Sequence, residues 1–297
     1  MSHTKNRSRR NLRQTLSRIA VATIITSATQ LASAQEVKFG NEQADTTRIT
    51  SILISESRQS DQGNIDRIAR LFIDTPYAAG TLDRDSTETL TVRLDSLDCT
   101  TFVENVLALA YTARERRQSW RDFTYNLRRM RYRQGEINGY PSRLHYVSDW
   151  IVDNISRGNL REITSEIPMV RYGVKSLDFM TSHRDLYPAL ADPDNFNGMK
   201  NVEAGFSNHR YPYIKGNAVK NKKVSSALRS GDIICFTTAT RGLDITHMAI
   251  ITIINGEPHI IHASRTAGKV IIDPLPLADY IHRNRNDGIR VLRLRVD

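Results

Sequence analysis

Five short runs rich in isoleucine and valine close the chain, and they constrain its fold more than anything else in it. "GDIICFTT" (231–238), "THMAIITII" (246–254), "PHIIHAS" (258–264), "KVIID" (269–273) and "IRVLRLRV" (289–296) are each bounded by turn residues. Such runs form an antiparallel sheet. Upstream the periodicity changes. "TTRITSILISES" (46–57) and "NIDRIARLFID" (64–74) space their apolar residues by three and four, as helices do, and "TPYAAG" (75–80) stops the second of them. Residues 112–228 are mixed, with short helical pieces such as "SDWIVDNI" and many prolines, asparagines and aromatics. Helices first and strands last predict an α+β fold with a helix packed on the sheet.

The first 34 residues read as a removable leader. Six basic residues and no acid precede a short apolar run, "IAVATIITSA", and then "ASA" at 32–34. That is the pattern of a secretory signal peptide, with an apolar run too short to span a bilayer. "SRRNLR" at 8–13 also resembles a twin-arginine signal. The expectation is an exported protein, periplasmic or secreted, whose residues 35–297 form one large domain or two small ones. No later run is long enough for a membrane span. Without the leader the formal charge drops from +10 to +4, because six of 42 basic residues leave and all 32 acidic ones stay. Nucleic-acid binding loses its support. One basic cluster, "RRMRYR" at 128–133, reads as a solvated helix face.

Only two cysteines occur. Cys235 lies inside an apolar strand-like run and is expected to be buried. Cys99 opens "CTTFVENVLALA", whose apolar residues recur at helical spacing up to the cations of "RERR". Asp98 suits the N-cap. A thiol in the first helical turn faces unpaired amide hydrogens and the positive end of the helix dipole, which favour a thiolate; the alternative is a buried cysteine acting as a small hydrophobe.

A thiolate nucleophile needs a base and a group to orient it. Asn255-Gly256 is a strong signal for a two-residue type I′ hairpin. That turn sets Ala249 opposite His262 and His247 opposite Ser264, so His247 and His262 share a face. His259 pairs with Thr252 on the other face, where it reads as an ordinary polar group near solvent. A zinc site is disfavoured because no spaced third ligand accompanies the two histidines.

Three blocks, "TPYAAG", "LDCTTFVENV" and "GDIICF…THMAII…IIHAS", stand in an order that resembles the NlpC-type superfamily of papain-like cell-wall cysteine peptidases. The variant Asp-Cys-Thr-Thr-Phe-Val-Glu resembles more narrowly the N-acetylmuramoyl-L-alanine amidase-like branch, as do "RLHYVSDWI" and "SHRDLYPAL". The resemblance implies a single catalytic domain over 35–297 with a papain-like fold and a long insertion over 112–228. It implies Cys99 as nucleophile, His247 as base and His262 as the residue orienting it. Tyr77, Asp98, Thr100 and Thr101 would shape the substrate site. The substrates implied are muropeptides, with no metal or cofactor. Thr100-Thr101 replaces the superfamily's Ser-Gly and Met248-Ala249 its Val-Gly, and 148 residues separate Cys99 from His247. These departures favour the bond between muramic acid and L-alanine over the usual cleavage after D-glutamate. Trp150, Tyr146 and Tyr211 in the insertion are candidates for stacking on a sugar. A non-catalytic wall-binding protein and an acyltransferase are the competing classes, and the oligomeric state is left open.

Overall fold

The computed structural model describes residues 37–85 and 87–295. The expected leader over 1–34 lies outside the described residues. Two short strands, β1 (Val37–Phe39) and β2 (Leu90–Val92), pair in parallel. Between and after them come helices α1 (Glu42–Ser57), α2 (Ile65–Arg70), α3 (Cys99–Arg114), α4 (Trp120–Arg131) and α5 (Val147–Ser156). The middle of the chain holds β3 (Leu160–Glu162), β4 (Val170–Lys175), α6 (Phe179–Ser182), α7 (Pro193–Gly205), β5 (His209–Lys215) and α8 (Lys222–Ser225). The last part contributes β6 (Ile233–Thr237), β7 (Ile245–Ile254), β8 (Glu257–Ser264), β9 (Lys269–Ile272), α9 (Leu277–Arg283) and β10 (Gly288–Leu294).

The main sheet is antiparallel throughout, in the order β4-β5-β10-β6-β7-β8-β9, with β3 added beside β10. All five C-terminal runs are strands of it. Three more come from 112–228, so this region extends the sheet as well as building around it. "VRYGVK" becomes β4 by pairing with β5, a partner distant in sequence.

Both faces of the sheet are covered, and strand alternation divides the core in two. Ile233, Cys235, Met248, Ile250, Ile261 and Ala263 pack toward Phe102, Val103, Val106 and Leu107 of α3. Their neighbours Ile234, Phe236, Ala249, Ile251 and Ile260 pack toward Leu277, Tyr280 and Ile281 of α9. Cys235 is fully buried, and both cysteines are free.

The basic cluster departs from expectation. Arg131 is buried, not solvated: its Nε donates to Glu104 Oε2 of α3 at 2.6 Å and its Nη1 to the Thr91 carbonyl at 2.6 Å. Arg133 pairs with Asp149 at 2.6 Å. Packing of α4 across α3 turns that side of the run inward, and a carboxylate meets it there. The proposed sugar platforms are also corrected. Trp150, Tyr146 and Tyr211 are at most 8% exposed, and the Tyr146 hydroxyl is spent on Glu203 and the Met180 amide, so all three are packing residues. Among the described residues no helix is long and apolar enough to cross a membrane.

Candidate active site

The nucleophile candidate is placed by a capping box. Asp98 is the N-cap of α3, with Thr101 N–H donating to its Oδ1 at 2.8 Å and its own N–H donating to Thr101 Oγ1 at 2.9 Å. Two helix-end donors are thereby satisfied reciprocally, and Cys99 becomes the first helical residue. Thr101 is buried with its hydroxyl committed to the cap, whereas Asp98, Cys99 and Thr100 are partly exposed. Thr101 thus holds the helix start. The segment carrying Tyr77 is fixed on both sides. Leu97 N–H donates to the Pro76 carbonyl at 2.9 Å, and Tyr77 N–H to the Gly268 carbonyl at 2.8 Å. Burial raises the pKa of the Tyr77 phenol, with Cys99 and then Asp98 adding to the effect.

The two histidines come together as the hairpin register requires. Asn255 and Gly256 both have positive φ, +51° and +82°, as a type I′ turn demands. Thr252 pairs with His259 and Ile250 with Ile261, which leaves His247 and His262 diagonal on one face. His247 Nε2 lies 2.8 Å from His262 Nδ1. His259 sits apart, its Nδ1 donating to the Asp273 carbonyl at 3.2 Å. The Tyr280 ring of α9 meets His262 edge-on at 5.4 Å between centroids, and Phe236 stacks on His247 at 5.8 Å. α3 packs on β7, and the Cys99 thiol is influenced by the main chain of Met248, the residue after His247.

The electrostatics are those of a neutral pair. Burial, and secondarily Asp98, push the Cys99 thiol up to about 11, against the Met248 main chain and Thr100. The expected preference for thiolate at the helix start is overridden, because desolvating a charge outweighs the dipole. Burial and the neighbouring His262 lower His247, and burial lowers His262 against the pull of Asp273. Burial thus favours the uncharged forms of the thiol and of both imidazoles.

One residue was missed from the sequence. Asp273, buried just past β9, places Oδ2 3.5 Å from His262 Nε2. "IIDPLP" reads locally as a strand running into a turn, and only the β8–β9 register, with His262 opposite Ile271, carries Asp273 onto the face of the histidines. A cavity of about 130 Å³ opens beside Cys99, lined by Asp98, Thr100 and Thr101 together with Asp83, Arg143 and His145. Arg143 is buried there and pairs with Asp83 and with Glu88.

Comparison with known proteins assigns the chain to a family. Residues 67–289 match the family model described as AmiA-like, N-acetylmuramoyl-L-alanine amidase-like. A crystal structure described as an N-acetylmuramoyl-L-alanine amidase from Bacteroides uniformis ATCC 8492 is 37% identical with a TM-score of 0.74, covering 79% of this chain and 100% of that one. One described as a putative xylanase from Bacteroides fragilis is 39% identical with a TM-score of 0.73, covering 77% of this chain and 100% of that one. Protein LPG0564 of Legionella pneumophila shares the fold at 23% identity and a TM-score of 0.68, over 86% of this chain and 96% of that one. No curated protein sequence matches significantly. A family match across three quarters of the chain, with two such relatives aligned over their full lengths, makes this protein a member of the N-acetylmuramoyl-L-alanine amidase-like family.

Proposed function

We propose that the protein is an exported peptidoglycan hydrolase, a cysteine amidase that cuts the amide between N-acetylmuramic acid and L-alanine in muropeptides. The observation that carries the reading is the His247–His262 hydrogen bond of 2.8 Å beside a helix whose first residue is Cys99. Family membership and the description of the Bacteroides uniformis relative supply the substrate class. The papain-like fold of the NlpC-type superfamily belongs to the same proposal, as does delivery to the periplasm or beyond.

The chemistry follows from the neutral pair. His247 Nε2 is engaged by His262, so Nδ1 is the nitrogen that exchanges a proton with Cys99. As Cys99 Sγ attacks the lactyl carbonyl carbon, its proton passes to His247 and the oxygen becomes an oxyanion. The Cys99 N–H heads α3, where no preceding turn satisfies it, and it supplies a donor for that charge. The carbon–nitrogen bond then breaks, His247 returns its proton to the leaving amine of L-alanine, and a thioester remains. Water attacks the thioester, giving one proton to His247. The lactyl carboxylate departs and Cys99 regains its thiol. Asp98, Thr100 and Tyr77 line the approach, and the cavity lined by Arg143 and His145 is a recess for substrate next to the nucleophile.

Mass spectrometry of defined muropeptides after incubation with the protein tests this. The expected products are an intact stem peptide with free N-terminal L-alanine and a sugar bearing a free lactyl carboxylate. Cleavage of a sugar-free L-alanyl-D-glutamyl-diaminopimelate peptide would overturn the amidase reading in favour of an endopeptidase.

A further inference from the structure

We propose that Asp273 is a positioning residue that fixes which nitrogens of His262 and His247 carry hydrogen, so that His247 presents a bare Nδ1 to Cys99. This rests on reading Cys99 as nucleophile and His247 as base.

A hydrogen bond between two neutral imidazoles has one donor, and either ring can supply it. The 2.8 Å contact between His247 Nε2 and His262 Nδ1 is compatible with both arrangements. Only one of them leaves His247 able to take a proton from a thiol. If His247 donates from Nε2, its Nδ1 is bare and basic. If His262 donates from Nδ1, His247 must carry its hydrogen on Nδ1, and the base is blocked.

The far end of His262 decides the matter. His262 is 3% exposed, and its Nε2 is buried with no hydrogen-bond partner among the described residues. Asp273 Oδ2 stands 3.5 Å from it. A carboxylate offers only acceptors, so a bare Nε2 would aim a lone pair at a negative charge in a place water does not reach. Nε2–H is therefore the form that Asp273 selects. Nδ1 of His262 is then bare, His247 donates from Nε2, and His247 Nδ1 is left free. The separation is longer than a hydrogen bond, as catalytic contacts without substrate often are.

Asp273 is itself held. Leu275 N–H donates to Oδ1 at 2.9 Å, Arg283 Nη2 donates to Oδ2 at 3.0 Å, and the Asp273 N–H donates to the Ile260 carbonyl at 2.9 Å. Arg283 thus holds the oxygen that faces His262 in place. The groups facing His262 are His247 from β7, Asp273 after β9, and Tyr280 and Arg283 from α9. When His247 accepts the Cys99 proton, its Nε2–H already points at an acceptor backed by the Asp273 carboxylate.

The Asp273→Asn variant makes a sharp test. Oδ1 of asparagine can keep the Leu275 bond, which turns an N–H donor toward His262 Nε2 and leaves Arg283 without its Oδ2 acceptor, so that this half-exposed side chain turns to solvent. The new donor inverts the chain: His262 becomes Nδ1–H, and so does His247. Long-range proton–nitrogen correlation spectra of ¹⁵N-histidine-labelled protein read these forms directly. The wild type should show Nε2–H at both rings, and Asp273→Asn should show Nδ1–H or a mixture. The kcat should fall by about a hundredfold or more with KM little changed, since a base in the wrong tautomer is the costly defect in such chains. Asp273→Glu, which restores a carboxylate, should recover the Nε2–H form in part. Nδ1–H at His262 in the wild type, or unchanged ring states in the asparagine variant, would overturn the proposal. Retained amide cleavage by Cys99→Ala would instead remove the nucleophile reading and leave the spectra to stand alone.

Discussion

Replacing Arg131 with methionine should cost the protein a large part of its stability while leaving the catalytic residues themselves intact. Arg131 and Glu104 are each 2% exposed in their side chains and meet at 2.6 Å. Removing one partner strands a buried charge, which costs about 3–5 kcal/mol. The Arg131 donor to the Thr91 carbonyl goes as well, adding about 1 kcal/mol. A loss of roughly 4–6 kcal/mol is a large fraction of the 5–15 kcal/mol typical of a domain. Burial already raises the pKa of Glu104 with Arg131 in place, and without the guanidinium it rises further. A folded-state carboxyl raised above its unfolded value binds a proton more readily when folded. The variant's deficit should therefore be largest at neutral pH and shrink as acid protonates Glu104. Urea titration at about pH 7.5 and about pH 5, with unchanged slope m, measures both effects. The double variant Arg131→Met with Glu104→Leu removes both charges and should recover most of the loss. A single variant that lost less than about 1 kcal/mol, or a double variant no better than the single, would refute the ion-pair account.

Cys99→Ala should abolish amide cleavage and leave the fold intact. Cys235→Ser, which puts a hydroxyl into a fully buried position of β6, should lower stability by about 1–3 kcal/mol and spare activity; comparable loss of activity in folded Cys235→Ser protein would contradict this. His262→Ala should reduce kcat by orders of magnitude and His259→Ala should be nearly neutral, because only the former touches His247. With both histidines lowered and the thiol raised to about 11, kcat/KM should stay flat from about pH 6 to beyond the ordinary cysteine pKa of about 8.5; an alkaline fall centred there would argue against the neutral pair. Asp98→Ala removes the side-chain acceptor of the capping box, leaving the Asp98 N–H bond to Thr101 in place, and should cost about 1 kcal/mol in thermal or urea unfolding, with a fall in kcat as the helix start loosens.

What the sequence decided by itself was local. A residue pair such as Asn255-Gly256 prefers positive φ wherever it stands, so the turn, the strand parity and the meeting of His247 with His262 could be read without a structure. Asp98 before a helical run fixes the helix start in the same way, because a cap is made between residues three apart. The antiparallel sheet follows from composition and spacing in the C-terminal runs. What only the tertiary structure decided involves partners far apart in the chain. β4 and β5 are strands because they pair with each other and then with β10, and "VRYGVK" alone carries no such preference. Arg131 looks like any solvated arginine until α4 crosses α3 and Glu104 meets it. Trp150, Tyr146 and Tyr211 carry the same rings whether they face a sugar or a core, and packing alone turned them inward. Asp273 stands on the histidines' face only through the register of β8 with β9. The electrostatics belong with these, since the helix dipole acting on Cys99 is encoded locally, whereas the burial that outweighs it is imposed by the rest of the fold.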